Sequence, residues 1–133
     1  MNKKGFTLIE LLGVMIVLAI IAVITVPIVN TVTRASREST YNKQISTLES
    51  AAKKWGVEND NKLPDIGSTS IITIDFDTLI NDGYLKNEKI INPKTEEELT
   101  GCIKVSYNNE FNQYEYIYTD NLTDCASYNV NNL

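Results

Sequence analysis

The chain has 133 residues, with 17 acidic against 12 basic side chains, a net charge of −5, two cysteines and no histidine. The acidic balance argues against direct nucleic-acid binding, which rests on phosphate neutralisation by Lys and Arg. The lack of histidine removes the commonest general base and metal ligand, and two cysteines are too few for a structural zinc site. With no phosphate loop, dinucleotide fingerprint or nucleophile elbow, no enzymatic activity, metal or cofactor is expected.

The first predicted element opens where Lys3, Lys4 and Gly5 lead into an apolar run over residues 6–29, interrupted by a single carboxylate, Glu10. Residues 11–24 carry no charge. Such a run spans a bilayer as a helix, since about 20 apolar residues cover a hydrocarbon core of roughly 30 Å. A charge at the centre of that helix costs about 2.5 to 3.5 kcal/mol. Glu10 escapes most of this cost if it lies among headgroups at the helix N-terminus, where the macrodipole favours an anion. A cleaved secretory signal fits poorly: the run exceeds 7 to 15 residues, Ala19 and Ala22 have the wrong spacing, and bulky Ile28 and Val29 follow Pro27. A lipoprotein needs a cysteine just after the apolar core, whereas the cysteines are Cys102 and Cys125. Lys3 and Lys4 also suit the cytoplasmic flank of an ordinary single-pass anchor, a signal that Arg34 and Arg37 on the far side weaken.

The string Lys3-Lys4-Gly5-Phe6-Thr7-Leu8-Ile9-Glu10 resembles the processing site of type IV pilins and pseudopilins. The resemblance implies that a prepilin peptidase cuts between Gly5 and Phe6 on the cytoplasmic side and that Phe6 is then N-methylated. It also implies that Glu10 neutralises the terminal amine of a neighbouring subunit in a filament. A buried carboxylate is tolerated when matched to an ammonium and costly when it is not. Pro27 extends the resemblance, because a proline at this depth is common in the family. It removes a backbone hydrogen bond and weakens its turn.

Past the apolar run, Tyr41, Ile45, Leu48, Ala52 and Trp55 recur at steps of four and three, which predicts one amphipathic helical face. Gly56 is expected to stop that helix. A single helix over residues 6–55 is about 75 Å long at 1.5 Å per residue. Its apolar first half must bury itself in lipid or in copies of itself, while the second half packs on a sheet. Asn59, Asp60, Asn61, Pro64, Asp65 and Gly67 mark a loop. Residues 70–74 are β-rich, and Asp75 is placed to cap a short helix with Phe76, Leu79 and Ile80 that ends at Gly83. The stretch over residues 79–85, followed by Asn92-Pro93, resembles the connecting region of pilin-like proteins from Gram-positive bacteria. A glycine-capped helix and a turn explain it, and no site is assigned there.

Further on, Ile103, Val105 and Tyr107 alternate with Lys104 and Ser106, Asn108 and Asn109 signal a turn, and residues 111–118 form a second strand of an antiparallel pair. Tyr114, Tyr116 and Tyr118 share one face, which serves packing more readily than glycan or base binding. The resemblance implies a disulfide between Cys102 and Cys125 bounding the C-terminal segment. Such a bridge restricts the unfolded chain by about 3 to 3.5 kcal/mol, and two unpaired thiols are the alternative. Asp120 and Asp124 occupy the loop where some pseudopilins hold calcium, but two acids fall well short of six oxygen ligands. Asn121-Leu122-Thr123 is a glycosylation sequon, meaningful only beside the matching transferase.

The expected fold is α+β and pilin-like: a long N-terminal helix, membrane-spanning in its first half and amphipathic in its second, packed on a small antiparallel sheet. The expected segments are a leader over residues 1–5, a transmembrane and polymerisation half over 6–29, an amphipathic half over 30–56 and a head over 57–133. The expected product is a type IV pilus subunit located in the cytoplasmic membrane, head outside, and then in a surface filament. Its expected partners are further copies, other pilins, the prepilin peptidase, a membrane assembly platform and, before assembly, lipid. A pseudopilin of a competence or secretion system is the nearest alternative, and a membrane-anchored binding module is one of another class.

Overall fold

The computed structural model describes residues 5–132, so Lys3 and Lys4 of the expected leader lie outside the described residues. The chain divides into two compact units, Met1–Glu38 and Ser39–Leu133, and helix α1 (Leu8–Glu58) contributes to both.

In the first unit no other described residue covers the apolar surface of α1. Every large apolar side chain from Phe6 to Val32 is at least 50 % exposed, although fully burying each would gain about 1.5 to 3 kcal/mol. The helix is long and apolar enough to cross a membrane. Pro27 sits inside it and cannot donate to the carbonyl four residues back. Two threonine hydroxyls bond backbone carbonyls on either side of this gap: Thr25 Oγ1 donates to Ile21 O at 2.9 Å, and Thr31 Oγ1 donates to Pro27 O at 3.0 Å. Such bonds to the carbonyl one turn back bend and soften a helix.

In the second unit the predicted amphipathic face is the core. Leu48, Ala51, Ala52 and Trp55 are buried, with Tyr41 and Ile45 partly so. They cover a three-stranded antiparallel sheet in the order β1 (Ile71–Asp75), β2 (Cys102–Asn108), β3 (Gln113–Thr119). The register sets Ile72 opposite Val105 and Val105 opposite Tyr116, and likewise Ile74 opposite Ile103 and Ile103 opposite Tyr118. These residues therefore share the face turned towards α1. On the other face Thr73 is fully buried, its Oγ1 donating to Cys125 O at 3.1 Å. Its N–H donates to Tyr128 O at 2.8 Å, so the outer edge of β1 is covered by the C-terminal segment.

Two short helices close the unit. In α2 (Phe76–Asn81) the Asp75 side chain accepts the Thr78 N–H at 3.1 Å, and Gly83 follows at φ +85°, a conformation that suits glycine. In α3 (Leu122–Ser127) the Asn121 side chain accepts from the N–H groups of Thr123 and Asp124. Between α2 and β2 the chain forms a strap with little regular structure along α1. Asp82 accepts from Trp55 Nε1 at 2.7 Å, Tyr84 donates to Glu58, and Ile91 O accepts from Gln44 Nε2 at 2.8 Å.

Two expectations need correction. The helix does not stop at Gly56 but runs to Glu58, and Gly56 is a buried interior residue without a positive φ. Its lack of a side chain is what matters: a Cβ there would run into the hydroxyl of Tyr116 and lie 3.0 Å from its Cζ. Phe111 is not in a strand either. The turn extends through Asn112, at φ +53°, and leaves Phe111 exposed.

Gly56→Ala is therefore expected to destabilise the head by about 1 to 3 kcal/mol through overpacking. In a Tyr116→Ala background the same change should instead gain up to about 1 kcal/mol from helix propensity. Denaturant unfolding of the detergent-solubilised chain in a double-mutant cycle measures both. Tyr84 offers a second test, because its hydrogen bond to Glu58, helped by desolvation and by the charges of Glu58 and Asp82, pushes its phenol from 10.0 up to about 12. A raised pKa means that this contact supports the fold fully below pH 10 and that the support is lost as pH rises through about 12. An ultraviolet titration should show one phenol ionising near 12, returning towards 10.0 in Glu58→Gln.

Candidate functional site

The site begins where the backbone turns into α1. Thr7 precedes the first helical residue, Leu8, and Glu10 is the third. The Thr7 N–H donates to Glu10 Oε2 at 3.2 Å, and the Glu10 N–H donates to Thr7 Oγ1 at 3.2 Å. This is a reciprocal capping box, which satisfies two backbone donors at once. It also places the anion on the positive end of the helix dipole. Glu10 is thus both held and stabilised within its own chain, while its side chain stays exposed on the surface of the first turn.

Neighbouring residues leave this carboxylate approachable. A Cβ built on Gly13 would meet nothing within 4 Å, although glycine in a helix interior costs about 1 kcal/mol relative to alanine. Its absence opens a notch walled by Phe6, Glu10, Val14 and Val17. Small residues of this kind let helices approach closely in an apolar medium. Phe6 is 90 % exposed. A Cβ on Gly5 would also meet nothing within 4 Å, so packing makes no demand for glycine there.

The remaining sequence candidates lie elsewhere. Pro27 is several turns along α1. Cys102 and Cys125 are joined by a disulfide, with Cα atoms 5.8 Å apart, tying α3 to the start of β2. The tyrosines of β3 are occupied in packing. Tyr114 donates to Pro64 O at 2.6 Å, Tyr116 lies against Gly56, and Tyr118 donates to Thr100 O. Burial raises the phenol pKa of Tyr116, with Tyr114 adding to it, and burial likewise raises that of Tyr118, with Tyr41 and Asp120 adding. No group of three or more His, Cys, Asp or Glu is placed to hold a metal among the described residues. Asn121 of the sequon spends its side-chain oxygen on capping α3.

Gly5, Phe6 and Glu10 stand at the start of an apolar helix that no other described residue covers, and one family model matches this part of the chain. The chain carries the prokaryotic N-terminal methylation motif. The match covers residues 1–26, and this motif is the signature of type IV pilins and pseudopilins. It supports a structural pilin or pseudopilin class rather than an enzyme family. No curated relative and no solved structure matches the chain. The long helix with its small antiparallel sheet is a pilin-like α+β arrangement, and the exposed apolar helix is compatible with membrane anchoring and a surface filament.

One contact of the first turn went unread in the sequence, the reciprocal bond of Thr7 and Glu10, although Thr-x-x-Glu before an apolar run is its signal. Glu10→Ala should release the first turn at a cost of about 0.5 to 2 kcal/mol, whereas Glu10→Gln keeps an acceptor for the Thr7 N–H and should lose far less. Hydrogen exchange at the Thr7 amide in detergent micelles distinguishes them, with clear acceleration expected only in Glu10→Ala.

Proposed function

We propose that the chain is a structural subunit of a type IV pilus. Residues 1–5 are removed after Gly5, Phe6 becomes the methylated N-terminus, residues 6–29 serve first as membrane anchor and then as the polymerisation helix, and residues 30–56 join it to the head over 57–133. The observation that carries the reading is the run of apolar side chains from Phe6 to Val32, all at least half exposed, behind a processing-type motif. Such a surface needs lipid before assembly and copies of itself afterwards. The partners are accordingly further copies and other pilins, the prepilin peptidase and a membrane platform that extracts the subunit.

In this reading Glu10 exchanges partners. In the membrane it caps its own helix, and in the filament it meets the Phe6 amine of a neighbour, an ion pair that a carboxamide cannot form. Pro27 and the flanking threonines mark the place where the helix gives way as subunits pack.

Mass spectrometry of the protein from its native membrane and from sheared surface material tests the reading. The expected chain begins at Phe6, carries one added methyl group and is present in the sheared fraction. Glu10→Gln should be processed and inserted normally yet absent from that fraction. A chain that keeps its leader and stays wholly in the membrane overturns the proposal in favour of an anchored module.

A further inference from the structure

The head carries an apolar projection and an apolar notch. The projection is the turn between β2 and β3, residues 109–112, where Phe111 is 65 % exposed and Glu110 stands beside it. Asn108 Oδ1 accepts from the N–H groups of Glu110 at 2.9 Å and Phe111 at 3.2 Å, so the tip is a built turn. The notch, about 400 Å³, lies between α1 and the strap, with Leu48, Leu85, Ile90 and Ile91 in its walls. Lys86 and Lys89 also line it with Glu88, giving its charged lining a net positive charge. Its wall also holds an unsatisfied group. Gln44 Nε2 donates to Ile91 O, which fixes the amide orientation and leaves Oε1 buried without a partner.

Within one head these two features cannot meet. As β3 is followed back from Tyr118 to Tyr114, its contacts move along α1 from Glu49 to Gly56 and on to Pro64 beyond the helix. The turn therefore lies past the C-terminal end of α1. The notch lies beside Gln44 and Leu48, and the helix from Gln44 to its end at Glu58 spans about 20 Å at 1.5 Å per residue.

The geometry points to a second copy of this chain as the occupant, its Phe111 ring entering the notch and its Glu110 facing Lys86 and Lys89. The side-chain amides of Asn109 and Asn112 at the tip supply the donor that Gln44 Oε1 lacks, once the strap yields to admit them. Charge complementarity favours this pairing, and the distance within one head requires that it form between copies. Tip and notch are different surfaces, so the contact is heterologous and propagates as an open helical series instead of closing a dimer. The inference rests on the filament reading and adds a head-to-head contact to the helix packing.

The test is oxidative cross-linking in sheared filaments of the full chain carrying Lys89→Cys and Glu110→Cys together. A covalent ladder with increments of this chain's mass is expected in the double variant and not in either single one. Phe111→Ala, which changes an exposed side chain and should fold normally, is expected to lower sheared filament yield at least about tenfold, as truncation of an interface anchor does. Phe111→Trp should retain most of the yield. Filaments that form without a ladder, together with normal yield from Phe111→Ala, overturn the inference and leave the filament reading standing. Increments of a different mass also overturn it, by identifying another protein in the notch. If the unmodified chain forms no filaments, both readings fail.

Discussion

The whole molecule answers to one constraint: the seventeen large apolar side chains of α1 from Leu8 to Val32 are all at least half exposed, a surface that no other described residue covers. Burying that surface is worth tens of kcal/mol in aggregate, far more than the 5 to 15 kcal/mol by which a small domain is stable. The first unit is therefore a half-structure, complete only against lipid or other helices. The second unit is self-sufficient in core and disulfide.

On the proposed filament reading, Glu10 is the point at which lipid and filament make different demands. In lipid, an exposed carboxylate is tolerable only at a helix end with its hydrogen bonds satisfied, and the reciprocal bond to Thr7 supplies that. Because the cap is local, it can be given up for a stronger partner without disturbing anything beyond the first turn. Gly13 leaves open space beside it, where a Cβ would meet nothing within 4 Å.

Much of this architecture was legible in the sequence because its determinants are local or periodic. The apolar run, the step pattern from Tyr41 to Trp55 and the alternation of β2 are written in single residues. So are the Asp75 cap and Gly83. What was illegible depended on contacts far apart in the chain. Gly56 reads as a stop signal until Tyr116, sixty residues later, is seen to need its space. Phe111 reads as the start of a strand because aromatic residues favour strands, but Asn112 at φ +53° prolongs the turn. The strap over residues 82–100 has no period at all, so its attachment to Trp55, Glu58 and Gln44 emerges only in three dimensions.

On the proposed filament reading, the disulfide has a consequence for endurance at a cell surface. The exposed tip of the β2–β3 turn is the sort of place where proteases nick a chain, and it falls within the interval closed by Cys102 and Cys125. A cut there separates β2 from β3 in sequence, yet both fragments remain covalently joined and laddered side by side. A filament built from such heads can be scarred by extracellular proteases, head by head, without shedding its coat.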